Sequence, residues 1–340
     1  MPRYFLDVSR TISRLHHKVA TGIDRVERAY LAHLITNYPD AFAVGVFGSE
    51  GFLCALSEFA KLLDAPLPAK ANLQDRVRFK LSDDQRRVKS LIRNRIGWDS
   101  MANLQRTLKT RIQKDDVFVS VGHMRNTAAI ARIFSGCNAD VWYFVHDLIP
   151  ITHPHLVRSD TPEKFSDFVD TVSSTGTAVI CNSQATAGDI RKRMIHVNPI
   201  VAKLGVDPCP NTDTSKARSG ALMVGTIEPR KNYDLILDLW LNDIENTLPK
   251  LTIVGQRGWA AATTFKRIDK LKTNGRVTEL VDASDEMLSD LYSSSETLLF
   301  PSFAEGFGLP LLEALTHDLP VIASDIPVFR ELFGADAKLL

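Results

Sequence analysis

Cysteine is scarce and scattered. Cys54, Cys137, Cys181 and Cys209 are the only four in 340 residues, and no two form a C-x-x-C pair. That spacing excludes a disulfide frame or a zinc ribbon and argues for reduced thiols in a reducing compartment. Long apolar runs are missing as well. Nothing approaches the roughly 18 residues of a membrane span, and the opening "MPRYFLDVSR" holds no stretch of signal-peptide length. The expectation is a cytoplasmic protein. Net charge is only +1, so no nucleic acid or other polyanion is implied as a partner. There is no Asp-x-Asp pair to hold a divalent ion. His146, Asp147, His153 and His155 lie close in sequence, but a His cluster without acidic partners at fixed spacing is a weak metal signal. No metal site is expected.

What is present is alternation. Apolar residues make up 44% of the chain and charged ones 24%, the balance of a globular protein, and the length suits two domains. "YFLDV" reads as a strand, and "GIDRVERAYLAHLITNY" follows with Ile23, Val26, Tyr30, Leu31 and Leu34 at helical spacing. "AFAVGVF", "DVFVSVG", "DVWYFVHD" and "TAVICNS" are apolar nearly throughout, as strands covered on both faces are. Residues 206–219, rich in Pro, Asp, Thr and Ser, read as a linker between domains 1–205 and 220–340. Beyond it, five strands from "ALMVGTI" to "PVIAS" alternate with helical patterns. The fold class is α/β, two Rossmann-like parallel-sheet domains facing a cleft, with ligands expected at the carboxyl ends of the strands.

One segment breaks the rhythm. Residues 76–114 carry twelve Lys or Arg against three Asp. Val88, Leu91, Ile92, Ile96, Met101, Leu104, Leu108 and Ile112 add an apolar stripe at roughly helical spacing. Two readings stand: a basic amphipathic helix in peripheral contact with an anionic membrane, on the inner face of the plasma membrane, or a helical insertion packed on the first domain.

Two short stretches carry the chemistry. In "GTIEPRKN", Arg230 and Lys231 sit between a strand and a helix, where side-chain charge adds to the helix N-terminus to favour a phosphate or diphosphate. By itself this reads first as an ordinary exposed basic turn. In "SFAEGFGLPLLEA", Gly306 and Gly308 permit a sharp turn, Pro310 suits a helix start, and the amides from Phe307 to Leu309 point back toward a ligand. Glu305 and Glu313, eight positions apart, could address separated parts of one extended ligand. Singly, Glu305 reads as a cap partner and Glu313 as a helix-surface acid.

Taken together, Glu305-x7-Glu313 after a "LLFPS" strand, with "GTIEPRKN" about 75 residues earlier, resembles the retaining glycosyltransferases of the GT-B fold. Within these it resembles family 4 (group 1), which includes many bacterial mannosyltransferases of surface polysaccharide assembly. The resemblance spans Ala221 to Leu332 and extends more loosely through "TGIDRVERAYLAHL" and "FVHDLIPITHP". It implies catalytic roles for Glu305 and His146 at the donor sugar and for Arg230 and Lys231 on the leaving nucleoside diphosphate. It implies that Phe307, Gly308 and Leu309 present amides to sugar and diphosphate, that Glu313 holds the ribose, and that Gly22 closes on the phosphates from the first, acceptor-side domain. It also implies front-face substitution without cofactor or metal, with the nucleotide-sugar as co-substrate.

There are departures. Thr226 stands where many members carry Arg, which places more of the phosphate charge on Arg230, and only Gly22 remains of a loop that often holds two glycines. The family normally continues past "LFGADAKLL" to a last helix that returns to the first domain, so the C-terminal part is expected to be truncated. The expected function is transfer of a hexose, mannose first, from GDP-mannose or UDP-glucose to a glycan or lipid-linked acceptor. The alternative is a non-catalytic nucleotide-sugar-binding protein or partner subunit.

Overall fold

A computed structural model describes residues 2–17, 20–76, 81–123, 127–206 and 217–334. Cys209 and residues 207–216 of the expected linker lie outside the described residues. The chain packs as two compact units. The first comprises Met1–His146, Lys164–Cys181 and Ile190–Ile200; the second comprises Asp147–Glu163, Asn182–Asp189 and Val201–Leu340.

The first sheet has eight strands: β1 Tyr4–Asp7, β2 Phe42–Phe47, β3 Glu50–Ala55, β4 Asp99–Ser100, β5 Val117–Ser120, β6 Asp140–Val145, β7 Ala178–Cys181 and β8 Ile200–Val201. Their order is β4-β3-β2-β1-β5-β6-β7-β8. From β2 through β7 the neighbours run parallel. Consecutive β1 residues Phe5 and Leu6 are both buried, because helices cover both faces. The edge departs from the expected parallel pattern: β2–β3 and β3–β4 are antiparallel. The cause is local. Phe47 pairs with Glu50, leaving a two-residue turn, and Gly48 takes the positive φ of 65° that such a turn demands.

The basic segment forms two helices, Asp83–Arg95 and Met101–Arg111. Ser82 and Gln85 cap the first reciprocally, each side chain accepting from the other's amide. Val88, Leu91, Ile92, Leu104 and Leu108 are buried. Lys89 is buried too, paired with Glu50 and lying 5.1 Å from the centre of the Trp98 ring. This stripe is therefore part of the unit's own core, as the packed-insertion reading expects.

The second sheet contains β9 Ala221–Val224, β10 Leu251–Val254, β11 Val277–Leu280, β12 Thr297–Phe300 and β13 Val321–Ala323, in the order β11-β10-β9-β12-β13. All neighbours are parallel. Helices Tyr233–Asn242, Ala262–Thr273, Asp285–Ser294 and Leu309–Thr316 connect successive strands. One core gathers Ile236, Leu237, Trp240, Ile253 and Ile268. Another gathers Leu222, Leu298, Phe300, Leu311 and Phe329. The connections wind one way from β9 to β10 and the other way at β12. β9 and β12 are hydrogen-bonded neighbours, so the loops leaving their carboxyl ends face each other at a topological switch point.

This unit is not continuous in sequence. Ile149 and Leu156 pack on Ala304, while Ser183 and Thr186 donate hydroxyl hydrogen bonds to the Gly306 carbonyl at 3.0 and 3.4 Å. The Glu331 carboxylate accepts from the amides of Gln184 and Ala185. A single cut in a linker does not describe this packing.

Candidate functional site

The switch point collects the ionic residues. After β9 the chain passes through Gly225 (φ 139°) and makes one 3-10 turn, Pro229–Lys231. It then enters helix Tyr233–Asn242 through left-handed Asn232 (φ 53°). After β12 it loops through 301–308. The Phe303 amide donates to the Arg230 carbonyl at 2.8 Å and ties the two loops together.

Glu305 is the hub. Its Oε2 accepts from Arg230 Nη1 at 2.6 Å, and its Oε1 lies 2.5 Å from Lys231 Nζ and accepts from Ser302 Oγ at 2.8 Å. The carboxylate is 7% exposed and Lys231 8%. Lys231 Nζ also lies 4.4 Å from the centre of the Phe300 ring. Arg230 Nε contacts Glu228 Oε1 at 2.5 Å, and Glu228 is itself buried. Asp147 is half-buried, and one of its oxygens accepts from the Ile149 amide at 3.0 Å.

Burial and charge compete here. Burial pushes the Glu305 carboxyl up, but Arg230 and then Lys231 outweigh it and hold the pKa at about 2. Burial lowers Lys231, with Glu305 opposing. Arg230 is raised despite its burial, by Glu305, Glu228 and Asp147. Glu228 and Asp147 go the other way: burial raises both, and Arg230 only partly offsets it. Three acids thus surround two bases, and Glu305 is the one held most firmly ionised. The sequence reading missed Glu228 and did not separate Asp147 from its neighbouring histidines. The available signal for Glu228 was its place in the same tight turn as the two cations.

The second predicted element is equally specific. Gly308 caps helix Leu309–Thr316 at φ 101°, a conformation open to glycine, and a Cβ there would meet the Phe329 ring at 3.0 Å. The amides of Phe307, Gly308 and Leu309 have no acceptor among the described residues, so this short helix offers free donors. Further along it, Glu313 is half-buried and accepts a 2.7 Å hydrogen bond from the Tyr292 hydroxyl. Thr226 follows Gly225, its methyl against Gly258.

His146 and Gly22 belong to the first unit. His146 is buried, its Nε2 lies 2.9 Å from the Val121 carbonyl, and its amide donates to His123 Nε2 at 2.8 Å. Burial first, and Arg10 after it, hold the imidazole neutral with a pKa lowered to about 4. Gly22 opens helix Gly22–Asn37, where Thr21 and Asp24 form a capping box. Asp24 also holds Arg10 and Arg14, at 2.8 and 2.6 Å. Among the described residues no three His, Cys, Asp or Glu side chains are grouped to hold a metal ion, and no helix is long and apolar enough to cross a membrane.

The chain is similar to known proteins. Residues 213–338 match the family model "Glycosyl transferases group 1". The chain is 29% identical over 345 residues to the serotype-specific mannosyltransferase WbdA of Escherichia coli, an alignment covering 93% of this chain and 37% of that protein. It is 37% identical over 122 residues to the Escherichia coli O-antigen chain mannosyltransferase B, covering 35% of this chain and 32% of its relative. The matches thus span about a third of the length of these relatives. Among solved structures, Anabaena HepE in complex with UDP and glucose matches with a TM-score of 0.63 at 16% identity, covering 100% of this chain and 85% of that one. The lipopolysaccharide outer core galactosyltransferase WaaB in its apo form matches with a TM-score of 0.55 at 16% identity, covering 100% and 86%. The chain accordingly has the GT-B fold, and its residues 213–338, which carry Arg230, Lys231, Glu305 and Glu313, match the glycosyl transferases of group 1.

Proposed function

We propose that this chain is a retaining glycosyltransferase that moves mannose from GDP-mannose to a glycan or lipid-linked acceptor in the building of a surface polysaccharide. The observation that carries the reading is the Arg230–Glu305–Lys231 cluster at the switch point of a group 1 domain. Mannose as the sugar follows the mannosyltransferase relatives, GDP as its carrier is the donor the sequence resemblance puts first, and UDP-glucose is the second donor to test.

In this reading the leaving diphosphate takes over Arg230 and Lys231 from Glu305, and the amides of residues 307–309 add their donors. The freed Glu305 carboxylate then faces the sugar. The acceptor hydroxyl oxygen bonds to the anomeric carbon on the face the diphosphate leaves. The old C–O bond breaks with its electron pair going to the diphosphate, whose oxygen receives the hydroxyl proton. The negative charge that develops meets fixed cations and amides, so no metal is required of this site; a lost donor of this type slows a reaction by about 100-fold or more. Glu313 accepts from the ribose hydroxyls, a charge-assisted match. The sequence resemblance assigns His146 to the donor sugar, and Gly22 and Thr226 to the phosphates.

The test is GDP release from GDP-mannose, and UDP release from UDP-glucose, without acceptor. Slow hydrolysis by the wild type, abolished in Glu305→Ala, supports the transferase. Binding of either nucleotide without any turnover points instead to a non-catalytic nucleotide-sugar-binding protein or partner subunit.

A further inference from the structure

Two histidines just past the carboxyl ends of β5 and β6 are tied to each other within the first unit. His123 turns back at φ 54°, in the left-handed region that few residues other than glycine occupy. Its ring packs among His146, Phe165 and Phe168, whose ring centres lie 4.9 to 5.5 Å away. From there its Nε2 accepts from the His146 amide at 2.8 Å. Val121, two residues earlier, has its carbonyl 2.9 Å from His146 Nε2. The turn 121–123 therefore grips His146 twice, once by the backbone and once by the ring. Gly122 between the two grips is buried, so both act from one packed turn.

Each contact fixes a proton. A carbonyl oxygen only accepts, so His146 Nε2 carries a hydrogen; an amide N–H only donates, so His123 Nε2 carries none. Burial of the His123 ring, then His146 and Arg10, lower its pKa well below the ordinary range, and a hydrogen bond to the Phe144 backbone opposes them. A backbone bond that favours protonation of an imidazole is made to a carbonyl, which assigns the remaining hydrogen of His123 to Nδ1. His146 is neutral too, so its Nδ1 bears no hydrogen and can only accept.

We propose that His123 is a positioning residue: it holds the His146 backbone so that the ring reaches the Val121 carbonyl and keeps Nδ1 as a hydrogen-bond acceptor. The proposal rests on the transferase reading, in which His146 serves the donor sugar, and adds what that contact consists of. A group that meets Nδ1 must bring a hydrogen. A sugar hydroxyl does so, and the ionised oxygens of a diphosphate do not. His146 thus serves the hexose by accepting from a hydroxyl, neither as an acid nor as a counter-charge to the leaving group.

The experiment reads the tautomer and the sugar contact separately. Long-range proton–nitrogen NMR of protein carrying labelled histidine, with the His146 signals assigned by their loss in His146→Ala, shows one fixed Nε2–H tautomer in the wild type. His123→Leu has no acceptor for the His146 amide and gives an exchange-averaged pattern. His123→Gln, whose side-chain carbonyl can accept in its place, restores the fixed one. His123→Leu binds GDP within about twofold of the wild type but hydrolyses GDP-mannose about tenfold more slowly. That loss shrinks to within about twofold when His146 is already alanine, which a general loosening of the fold would not do. A fixed tautomer lost in His123→Leu and restored in His123→Gln supports the clamp even where no nucleotide-sugar turns over, a result that counts against the transferase reading alone. An Nδ1–H tautomer or an imidazolium at His146 in the wild type overturns the proposal, as does a tautomer unchanged in His123→Leu. GDP binding weakened as much as GDP-mannose hydrolysis also overturns it, because His146 would then act on the diphosphate.

Discussion

Two buried glutamates, one in each unit, show how partners decide what burial does. Glu27 lies inside the first unit, on helix Gly22–Asn37, and is 0% exposed. Its Oε1 accepts from the amide and hydroxyl of Thr11, at 3.1 and 2.6 Å, and its Oε2 has no hydrogen-bond partner among the described residues. Burial, with the nearby Asp7 adding to it, pushes its carboxyl up to about 8. Glu305 is almost as buried yet is held at about 2, because two cations surround it. A neutral buried acid serves packing. A buried acid kept ionised by exchangeable cations is poised to trade partners, and only the second belongs at a site for a charged ligand.

The largest effect expected from breaking this contrast is at Glu305. Glu305→Gln keeps the shape but takes the Glu305 charge from Arg230 and Lys231, leaving Arg230 with Glu228, and urea unfolding at pH 7 should lose about 3 kcal/mol. Because the folded-state pKa is depressed, this contribution is present above the ordinary carboxyl pKa and is lost as pH falls toward 2. The variant should lack that segment of the acid profile. A variant as stable as the wild type would mean that the cations do not depend on Glu305.

Glu27→Gln sharpens the opposite side. The folded state of the wild type binds a proton that the unfolded chain gives up between the ordinary carboxyl pKa and about 8, so stability falls as pH rises through that window. At ~1.4 kcal/mol per pKa unit the loss reaches a few kcal/mol by pH 9. Thermal melts of Glu27→Gln should match the wild type near pH 5 and exceed it at pH 9. An unchanged alkaline decline would assign that slope to another group.

The smallest effect is at Glu313, whose carboxylate accepts a hydrogen bond from buried Tyr292. Tyr292→Phe should destabilise by about 1–2 kcal/mol in urea. It should also raise the KM for the nucleotide-sugar a few-fold by loosening Glu313. A changed kcat with unaltered KM would contradict a ribose-holding role.

Much of this was legible in the sequence where one pattern sufficed. All five strands of the second sheet, and the helices after β9 and β12, follow from apolar runs and turn residues. β3 and β4 did not, because an antiparallel edge resembles loop when the surrounding rhythm is parallel. At the site, Arg230, Lys231 and Glu305 were readable as residue types in telling places. Their direct ion pairing was not, since it depends on β9 and β12 being adjacent despite 72 intervening residues between Val224 and Thr297. Asp147 stayed hidden because only burial distinguishes it from a surface acid, and Glu228 because its place beside Arg230 and Lys231 does not reveal its burial.

The discontinuity of the second unit bears on how such proteins can be cut and recombined. A fragment bounded by residues 213–338 would leave behind Ser183 and Thr186, and with them the hydroxyls that hold the Gly306 carbonyl next to the glycine turn. It would also strip Ile149 and Leu156 from Ala304, directly beside Glu305. A chimera that exchanges this domain between relatives therefore has to carry the two short upstream segments with it, or graft the carboxylate without the floor it stands on.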